Sequence, residues 1–251
     1  PPCFLSWMVF EMLLDSFGIT GTLFVCLVFL LIIMAMFMVL KSGGVVSSKR
    51  DSILIVGPMG SGKTALFYRL VLGEKRDAPK TVTSQAPNED TFQPGKEGRR
   101  LKLVDLPGHD SQWPAALDRV QDAVGVIFLM DSSKPQFNVA GQKLFDMLCD
   151  PSVKNNKIPF IIACNKTDLP DANEVEKIEE ELINDLRDRS EMKDTIEDTE
   201  GNVIQKTLVD GTGTADMFEF EQSPCPVEVV KVSLHKKDIG PVLKFCENLV
   251  R

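Results

Sequence analysis

The sequence predicts an α/β fold in which a mainly parallel sheet carries helices on both faces, preceded by one transmembrane α-helix. Short apolar runs alternate with helix-like stretches, in the order expected of a doubly wound sheet. Most of these runs are almost continuous in Val, Ile and Leu, which is typical of strands buried on both faces. Near the N-terminus, residues 18–40 carry no charged side chain. These three observations together define the predicted fold class.

The predicted strands are largely apolar runs bounded by turn residues. SILIV, LKLVD, VGVIFLMD, IPFIIAC and VEVVKVS each fit a strand. Stretches with helical periodicity lie between and after them. The predicted strands are 52–56, 101–105, 124–131, 158–164 and 227–233, and the predicted helices are 63–72, 139–148 and 241–250.

The uncharged segment 18–40 is long enough to cross a bilayer. At about 1.5 Å per helical residue it spans about 34 Å, against about 30 Å for the hydrocarbon core. Acidic Glu11 and Asp15 precede it, whereas basic Lys41 and Lys49 follow it. This charge order is the reverse of a cleaved signal peptide, and it orients the following residues towards the cytoplasm. We therefore expect a retained single-pass anchor.

The chain thus divides into consecutive predicted parts. Polar, Gly- and Thr-rich composition at about 190–217 predicts a flexible insertion. The parts are an N-terminal lumenal or interfacial segment 1–17, a transmembrane helix 18–40, a linker 41–50 and a cytosolic domain 51–251.

The overall composition excludes some classes of protein. The 28 Lys and Arg residues against 36 Asp and Glu give a formal net charge of -8. A nucleic-acid-binding protein needs a basic face to meet phosphates, so no direct nucleic-acid partner is expected. The 6 cysteines are scattered without a CxxC pair, which favours a reduced domain over a disulfide scaffold.

A glycine-rich turn, GPMGSGKT, follows the first predicted strand and opens the first predicted helix. It fills every fixed position of the phosphate-binding pattern GxxxxGK[ST]. Glycines let backbone N–H groups face a phosphate, and the helix N-terminus adds positive potential. We expect Lys63 to bridge the β- and γ-phosphates and the Thr64 hydroxyl to ligate Mg²⁺. The residues of this predicted phosphate loop are Gly57, Pro58, Met59, Gly60, Ser61, Gly62, Lys63 and Thr64.

Two further motifs follow later predicted strands. In DLPGH, Asp105 can hold Mg²⁺ through water and Gly108 can offer its N–H to a γ-phosphate. In NKTD, the Asp168 carboxylate can accept both N–H groups of the guanine edge, while Asn165 braces the loop and the Lys166 stem lies along the base. Adenine would leave buried polar groups unpaired. The order of the three motifs therefore predicts GTP rather than ATP.

The three motifs resemble those of the Ras-like P-loop GTPase superfamily over about 51–251. The membrane span, DLPGHD, IIACNKTDL and the insertion ending in FEFEQSP narrow the resemblance to the beta-subunit family of the eukaryotic signal recognition particle receptor. This resemblance implies a GTP- and Mg²⁺-binding domain facing the cytosol at the endoplasmic reticulum membrane. It also implies that the GTP form binds the receptor's alpha subunit and supports co-translational targeting of secretory and membrane proteins. The ribosome or translocon are further candidate partners.

The resemblance also assigns the remaining site residues. The resemblance places switch I at residues 81–87. Within it, Thr81 is the first choice for the Mg²⁺ ligand and Thr83 is the alternative. His109 takes the place of the water-positioning Gln of Ras proteins, so it is the candidate catalytic residue and hydrolysis is expected to be slow or partner-dependent. Where related proteins have Ser-Ala-Lys, this chain has Ser233-Leu234-His235, which lacks the Lys. The expected Mg²⁺ ligands are Thr64, Thr81 and Asp105, and the expected nucleotide contacts outside the phosphate loop are Thr81, Asp105, Gly108, Asn165, Lys166, Asp168, Ser233 and Leu234.

Three alternatives are less favoured by the sequence. An Arf-like membrane-traffic GTPase that cycles between GTP and GDP would use a myristoylated amphipathic helix rather than the span 18–40. A membrane-tethered ATPase is disfavoured by NKTD. A scaffold that binds no nucleotide is disfavoured by the complete phosphate and base motifs.

Overall fold

The computed structural model describes residues 27–34, 50–73, 86–95, 98–191, 195–197, 203–205, 208 and 218–250. The chain divides into two compact units, Pro1–Ser48 and Lys49–Arg251. In the first unit the described residues form one helix, α1 (27–34), whose side chains are exposed. None of the described helices is both long and apolar enough to span a bilayer. The rest of the predicted span 18–40 lies outside the described residues.

The second unit is built on a six-stranded sheet. Its strands in chain order are β1 (Ser52–Val56), β2 (Asn88–Phe92), β3 (Leu101–Asp105), β4 (Ala123–Asp131), β5 (Phe160–Asn165) and, after a separate ribbon of β6 (Thr195–Glu197) and β7 (Val203–Gln205), β8 (Val227–Lys231). The spatial order is β2-β3-β1-β4-β5-β8. All neighbours pair in parallel except β2, which runs antiparallel to β3 at the edge.

Helices cover both faces of this sheet. They are α2 (Lys63–Leu72), α3 (Trp113–Asp118), α4 (Phe137–Leu148), α5 (Pro151–Asn156), α6 (Val175–Glu191) and α7 (Gly240–Asn248). One apolar cluster packs α3 to α6 against the sheet, and a second packs α2 and α7. Strands β1 and β5 are buried along their whole length because both faces are covered. The predicted α/β architecture is confirmed.

The observed boundaries differ from the predicted ones in a few places. Strand β5 begins at Phe160 because the Ile158 N–H bonds to the Val153 carbonyl and closes α5 instead. The predicted strand 227–233 ends at Lys231, and the predicted helix 139–148 begins earlier, at Phe137. Strand β2 was not predicted. Strands β6 and β7 lie inside the predicted insertion 190–217, whose flexibility stays a prediction.

Parallel strands bring their carboxyl ends to one edge of the sheet. The loops that follow β1, β3, β4 and β5 therefore start side by side, and those after β1, β3 and β5 carry the three motifs found in the sequence. Ligands of doubly wound sheets bind in the crevice outside these strand ends. The fold thus assembles the candidate site at this edge.

Candidate nucleotide-binding site

The phosphate loop connects β1 to α2, as predicted. Its glycines adopt positive φ angles, with Gly57 at 137° and Gly62 at 102°. A Cβ on Gly57 would lie 2.1 Å from the Leu129 carbonyl oxygen, and one on Gly62 would lie 2.7 Å from the Asn165 amide nitrogen. Only glycine fits these two positions without displacing neighbouring atoms. The loop therefore curls directly into the N-terminus of α2.

Lys63 is a buried cation at the start of α2. Its side chain folds back so that Nζ donates to the Pro58 carbonyl at 2.7 Å, and the residue is 7% exposed. Burial lowers the pKa of Lys63 to about 8, the Asp105 carboxylate opposes this change, and the charge of Lys143 adds to it. A buried ammonium of this kind gains from an anion placed beside it.

Asp105 offers an oxygen suited to a magnesium site. Its Oδ2 accepts hydrogen bonds from Thr64 Oγ1 and Asn88 Nδ2, both at 2.8 Å. Its Oδ1 is buried and has no hydrogen-bond partner among the residues that the structure describes. Burial raises the pKa of this carboxyl, while Asn88, Thr64 and the charge of Lys63 oppose the rise. A carboxylate and a hydroxyl in contact are hard oxygen donors of the kind Mg²⁺ binds, so these residues fit the ion. Thr81 and its alternative Thr83 lie outside the described residues.

The loop after β3 lies against the phosphate loop. A Cβ on Gly108 would come within 2.7 Å of Lys63 Nζ and 2.9 Å of the Met59 backbone nitrogen. The predicted phosphate donors are therefore adjacent. His109 is exposed, and its Nδ1 accepts from the Ser111 N–H at 3.2 Å as the cap of a short 3₁₀ helix. Its catalytic role stays a prediction.

Asn165 joins three loops at the other end of the site. Its Nδ2 donates to the Ser61 carbonyl at 2.8 Å, and its Oδ1 accepts from the Leu234 N–H at 3.1 Å. Lys166 has a positive φ of 65°, donates to the Gly60 carbonyl at 2.9 Å and forms an ion pair with Asp131. The NKTD segment 165–168, here called the base loop, is thus bonded directly to the phosphate loop.

Asp168 is held by the loop after β8. The Ser233 hydroxyl donates to Asp168 Oδ1 at 2.6 Å, and this hydrogen bond lowers the pKa of the carboxyl. Ser233 and Asp238 exchange two backbone hydrogen bonds of 2.9 Å, which close the loop. His235 Nδ1 lies 3.5 Å from Asp168 Oδ2 in the position where the family pattern has Lys. An exposed imidazole near the Asp168 carboxylate therefore takes the place of this Lys.

An open pocket of ≈ 360 Å³ lies between the base loop, the start of α2 and the loop after β8. It has room for a planar base with apolar contacts on its sides and a carboxylate at its edge. The lining residues are Gly62, Ala65, Asn165, Lys166, Asp168, Leu169, Leu234 and His235. All the described base-site residues of the sequence prediction therefore lie together.

Three residues of this arrangement were not predicted. Asn88 bonds to Asp105, and Gln136 donates to the Met59 carbonyl at 3.1 Å. Asp131 ends β4, accepts from Ser133 and pairs with Lys166. The sequence did hold one signal, since Asp131 ends a nearly all-apolar strand just as Asp105 does.

Comparison with known proteins agrees with this geometry. A sequence model described as signal recognition particle receptor beta subunit matches residues 48–227. The chain belongs to this family. The receptor subunit beta of Rattus norvegicus is 32% identical over 193 residues, which cover 74% of this chain and 69% of the rat protein. Members of the family are small GTPases, so the Arf-like alternative is less well supported than the main prediction.

Solved structures give the same fold. A chain of the mammalian signal recognition particle receptor superposes with a TM-score of 0.67 at 29% identity, covering 79% of this chain and 99% of that one. A receptor beta subunit from Chaetomium thermophilum, solved as its GTP form in complex with SRX, gives a TM-score of 0.59 at 21% identity over 79% and 97% of the two chains. The second similarity shows the fold alone. The signal recognition particle receptor beta subunit family therefore has the Ras-like GTPase fold seen here.

Proposed function

We propose that this chain is the membrane-anchored GTP-binding subunit of the signal recognition particle receptor, and that its GTP form binds the receptor's alpha subunit. The observation that carries the proposal is the double hydrogen bond of Asn165 to Ser61 and Leu234. These bonds connect the phosphate loop, the base loop and the loop after β8 around one pocket. A nucleotide would contact all three, with its phosphates at the phosphate loop and its base in the pocket.

The chemistry of each end follows from the residues present. Lys63 would contact the β- and γ-phosphates, with the N–H of Gly108 beside it. Mg²⁺, bound with the nucleotide, would neutralise phosphate charge. Thr64 and Asp105 would hold it, together with Thr81. At the base end, the Asp168 carboxylate would accept the guanine N–H groups, and Ser233 would keep it in place.

Hydrolysis is proposed to be slow without a partner. His109 is exposed and bonded to Ser111, so it would have to rotate inward before it could orient an attacking water. In related GTPases a missing catalytic group lowers the rate by orders of magnitude. The GTP form would then persist long enough to hold a protein partner.

The proposed partner and membrane follow from the family together with the charge pattern. A fungal relative is solved as its GTP form with SRX. We propose that residues 18–40 anchor this chain once through the endoplasmic reticulum membrane. The uncharged segment and the basic residues after it support this orientation. Segment 1–17 would then be lumenal or interfacial, 41–50 a linker and 51–251 the cytosolic domain, with an insertion at about 190–217.

Capture of the alpha subunit tests this function. The full chain, purified in detergent, is loaded with GTP or GDP and mixed with the alpha subunit of the receptor. We expect capture with GTP and much weaker capture with GDP, because only GTP has the γ-phosphate that would contact the Gly108 N–H. Guanine nucleotide binding with rapid unaided turnover and no capture would instead indicate a cycling traffic GTPase.

A further inference from the structure

A buried lysine on α4 binds the segment that follows His109. The Lys143 side chain is 3% exposed, whereas that of its partner Asp110 is 77% exposed. Lys143 Nζ donates to Asp110 Oδ1 at 2.7 Å and lies 4.6 Å from the centroid of the Trp113 ring. Trp113 Nε1 donates to Asp146 Oδ2 at 3.0 Å, back on α4. We name Asp110, Trp113, Lys143 and Asp146 the α4 clasp.

The α4 clasp is continuous with the proposed phosphate site. Asp110 is the first residue of the 3₁₀ helix that His109 caps, and it directly follows the Gly108-His109 pair. At the other end of the same segment, Asp105 is bonded to Thr64. The segment is therefore fixed at both ends, with Gly108 pressed against Lys63 between them. The charge of Lys143 also acts on this site. Burial is the main cause of the lowered pKa of Lys63, and the charge of Lys143 lowers that pKa further.

We propose that Lys143 is a positioning residue for GTP, which holds Asp110 on α4 and so keeps the Gly108 N–H beside the phosphate loop. This inference rests on the proposed function. GTP has a terminal phosphate to meet that N–H, and GDP has none. If the docked segment is less populated, the apparent affinity for GTP falls by the same fraction, while the affinity for GDP does not. The α4 clasp therefore favours GTP over GDP.

A purely structural role for Lys143 predicts a different outcome. Replacing a buried ion pair by apolar side chains of similar volume is often neutral or stabilising, and removing one partner is costly only because the other charge is left buried and unpaired. The partner carboxylate of Asp110 is exposed, so it would simply return to water. Lys143→Met should therefore fold with unchanged or higher stability, and a selective loss of GTP affinity would come from positioning.

The test measures GTP and GDP affinities of the full chain in detergent by competition against a fluorescent guanine nucleotide in the presence of Mg²⁺. For Lys143→Met we expect the GTP affinity to fall about five- to tenfold, the size of a typical coupling between sites, with the GDP affinity within about twofold. Lys143→Arg keeps a cationic donor and should restore most of the GTP affinity. Asp110→Ala breaks the same contact from its exposed side and should show the same selective loss of GTP affinity, together with lower stability, because the buried Lys143 ammonium is left unpaired.

The matched control is Lys177→Met, the same change at an exposed lysine of α6. It should change neither affinity. Equal losses of GTP and GDP affinity in Lys143→Met, or an unchanged ratio of the two, would overturn the positioning role. A wild-type chain that binds neither nucleotide would overturn the proposed function and this inference with it.

Discussion

The two ends of the candidate site are held together in different ways. At the base end, Asn165 already has its hydrogen bonds, to the Ser61 carbonyl and from the Leu234 N–H. At the phosphate end, Lys63 is 7% exposed with a lowered pKa. Asp105 Oδ1 is buried, and no group in the described part of the chain forms a hydrogen bond with it. The hydrogen-bonding groups of Asn165 are therefore satisfied by protein groups alone, whereas the phosphate end carries charges that a bound ligand would satisfy.

Because of this difference, we expect substitutions at the two ends to affect fold stability and nucleotide affinity differently. Substitutions at the base end should weaken both, because the same hydrogen bonds hold the fold and shape the pocket. Substitutions at the phosphate end should weaken binding without weakening the fold, because buried charges that lack full pairing cost stability. The following predictions test that separation, beginning with the largest expected effect.

Lys63→Met should separate affinity from stability most clearly. We expect GTP affinity to fall by at least about 100-fold, or about 3 kcal/mol, from loss of a charge-assisted contact. The free energy of unfolding of the nucleotide-free chain should be unchanged or higher. Because the folded pKa of Lys63 is lowered to about 8, its charged form destabilises the fold fully below that pH and less as pH rises towards 10. Chemical denaturation of the wild-type chain and of Lys63→Met at pH 7 and pH 9.5 checks this sign, because the charged lysine should destabilise the wild-type chain less at the higher pH. A large loss of stability at pH 7 would contradict the account.

Asp168→Asn should change which base is bound. An amide can donate to the extra oxygen of xanthine, where the carboxylate accepts from guanine. We expect GTP affinity to fall by about 100-fold and the relative affinity for xanthosine triphosphate to rise. Competition binding with both nucleotides measures this exchange. Unchanged GTP affinity would remove Asp168 from the base site.

Asn165→Ala should weaken the fold and the binding together. The change leaves the Ser61 carbonyl and the Leu234 N–H without their partner, at a cost of about 2–3 kcal/mol in the free energy of unfolding. Chemical denaturation of the nucleotide-free chain measures it. The control is Asn156→Ala, whose exposed side chain donates to the Ser152 carbonyl, and whose loss should cost less than about 0.5 kcal/mol. Equal effects of the two variants would contradict a structural role for Asn165.

The smallest effect is expected away from the site, on α6. Burial, followed by the charges of Glu221, Glu219 and Glu176, raises the pKa of Glu179. Its ionised form therefore destabilises the fold above that pKa, and the effect disappears when the group is protonated in both states. Glu179→Gln should raise the free energy of unfolding at pH 7 by less than about 1 kcal/mol and leave it unchanged near pH 3.5. Glu180→Gln, the same change at an exposed position of α6, is the matched control and should change the free energy of unfolding at pH 7 by less than about 0.5 kcal/mol.

The parts of the fold that the sequence predicted are those with strong local signals. The parallel strands are continuous apolar runs, and the phosphate loop has residue types that phosphate chemistry requires at fixed spacing. Strand β2 has no such signal, because NEDTF contains one buried apolar residue, Phe92, and lies at the edge of the sheet. It pairs because β3 offers free backbone groups there, which is a tertiary effect.

The contacts within the site were less predictable from the sequence than the residues that form the site. The hydrogen bond from Asn165 to Ser61 joins residues 104 positions apart, and no local pattern encodes such a pairing. Asp131 could have been suspected because it ends a buried strand, but its partner Lys166 depends on the left-handed conformation of the base loop. The α4 clasp likewise depends on how α4 packs against the loop after β3.

Equilibrium titration is the direct test of whether this chain binds guanine nucleotide at the edge of the sheet. The full chain, stripped of nucleotide in detergent, is titrated with GTP and with ATP in the presence and absence of Mg²⁺. GTP should bind at least about 100-fold more tightly than ATP. Mg²⁺ should strengthen GTP binding, and Lys63→Met should weaken it by at least about 100-fold. Equal affinity for the two nucleotides, or no binding of GTP, would contradict the proposed guanine nucleotide site.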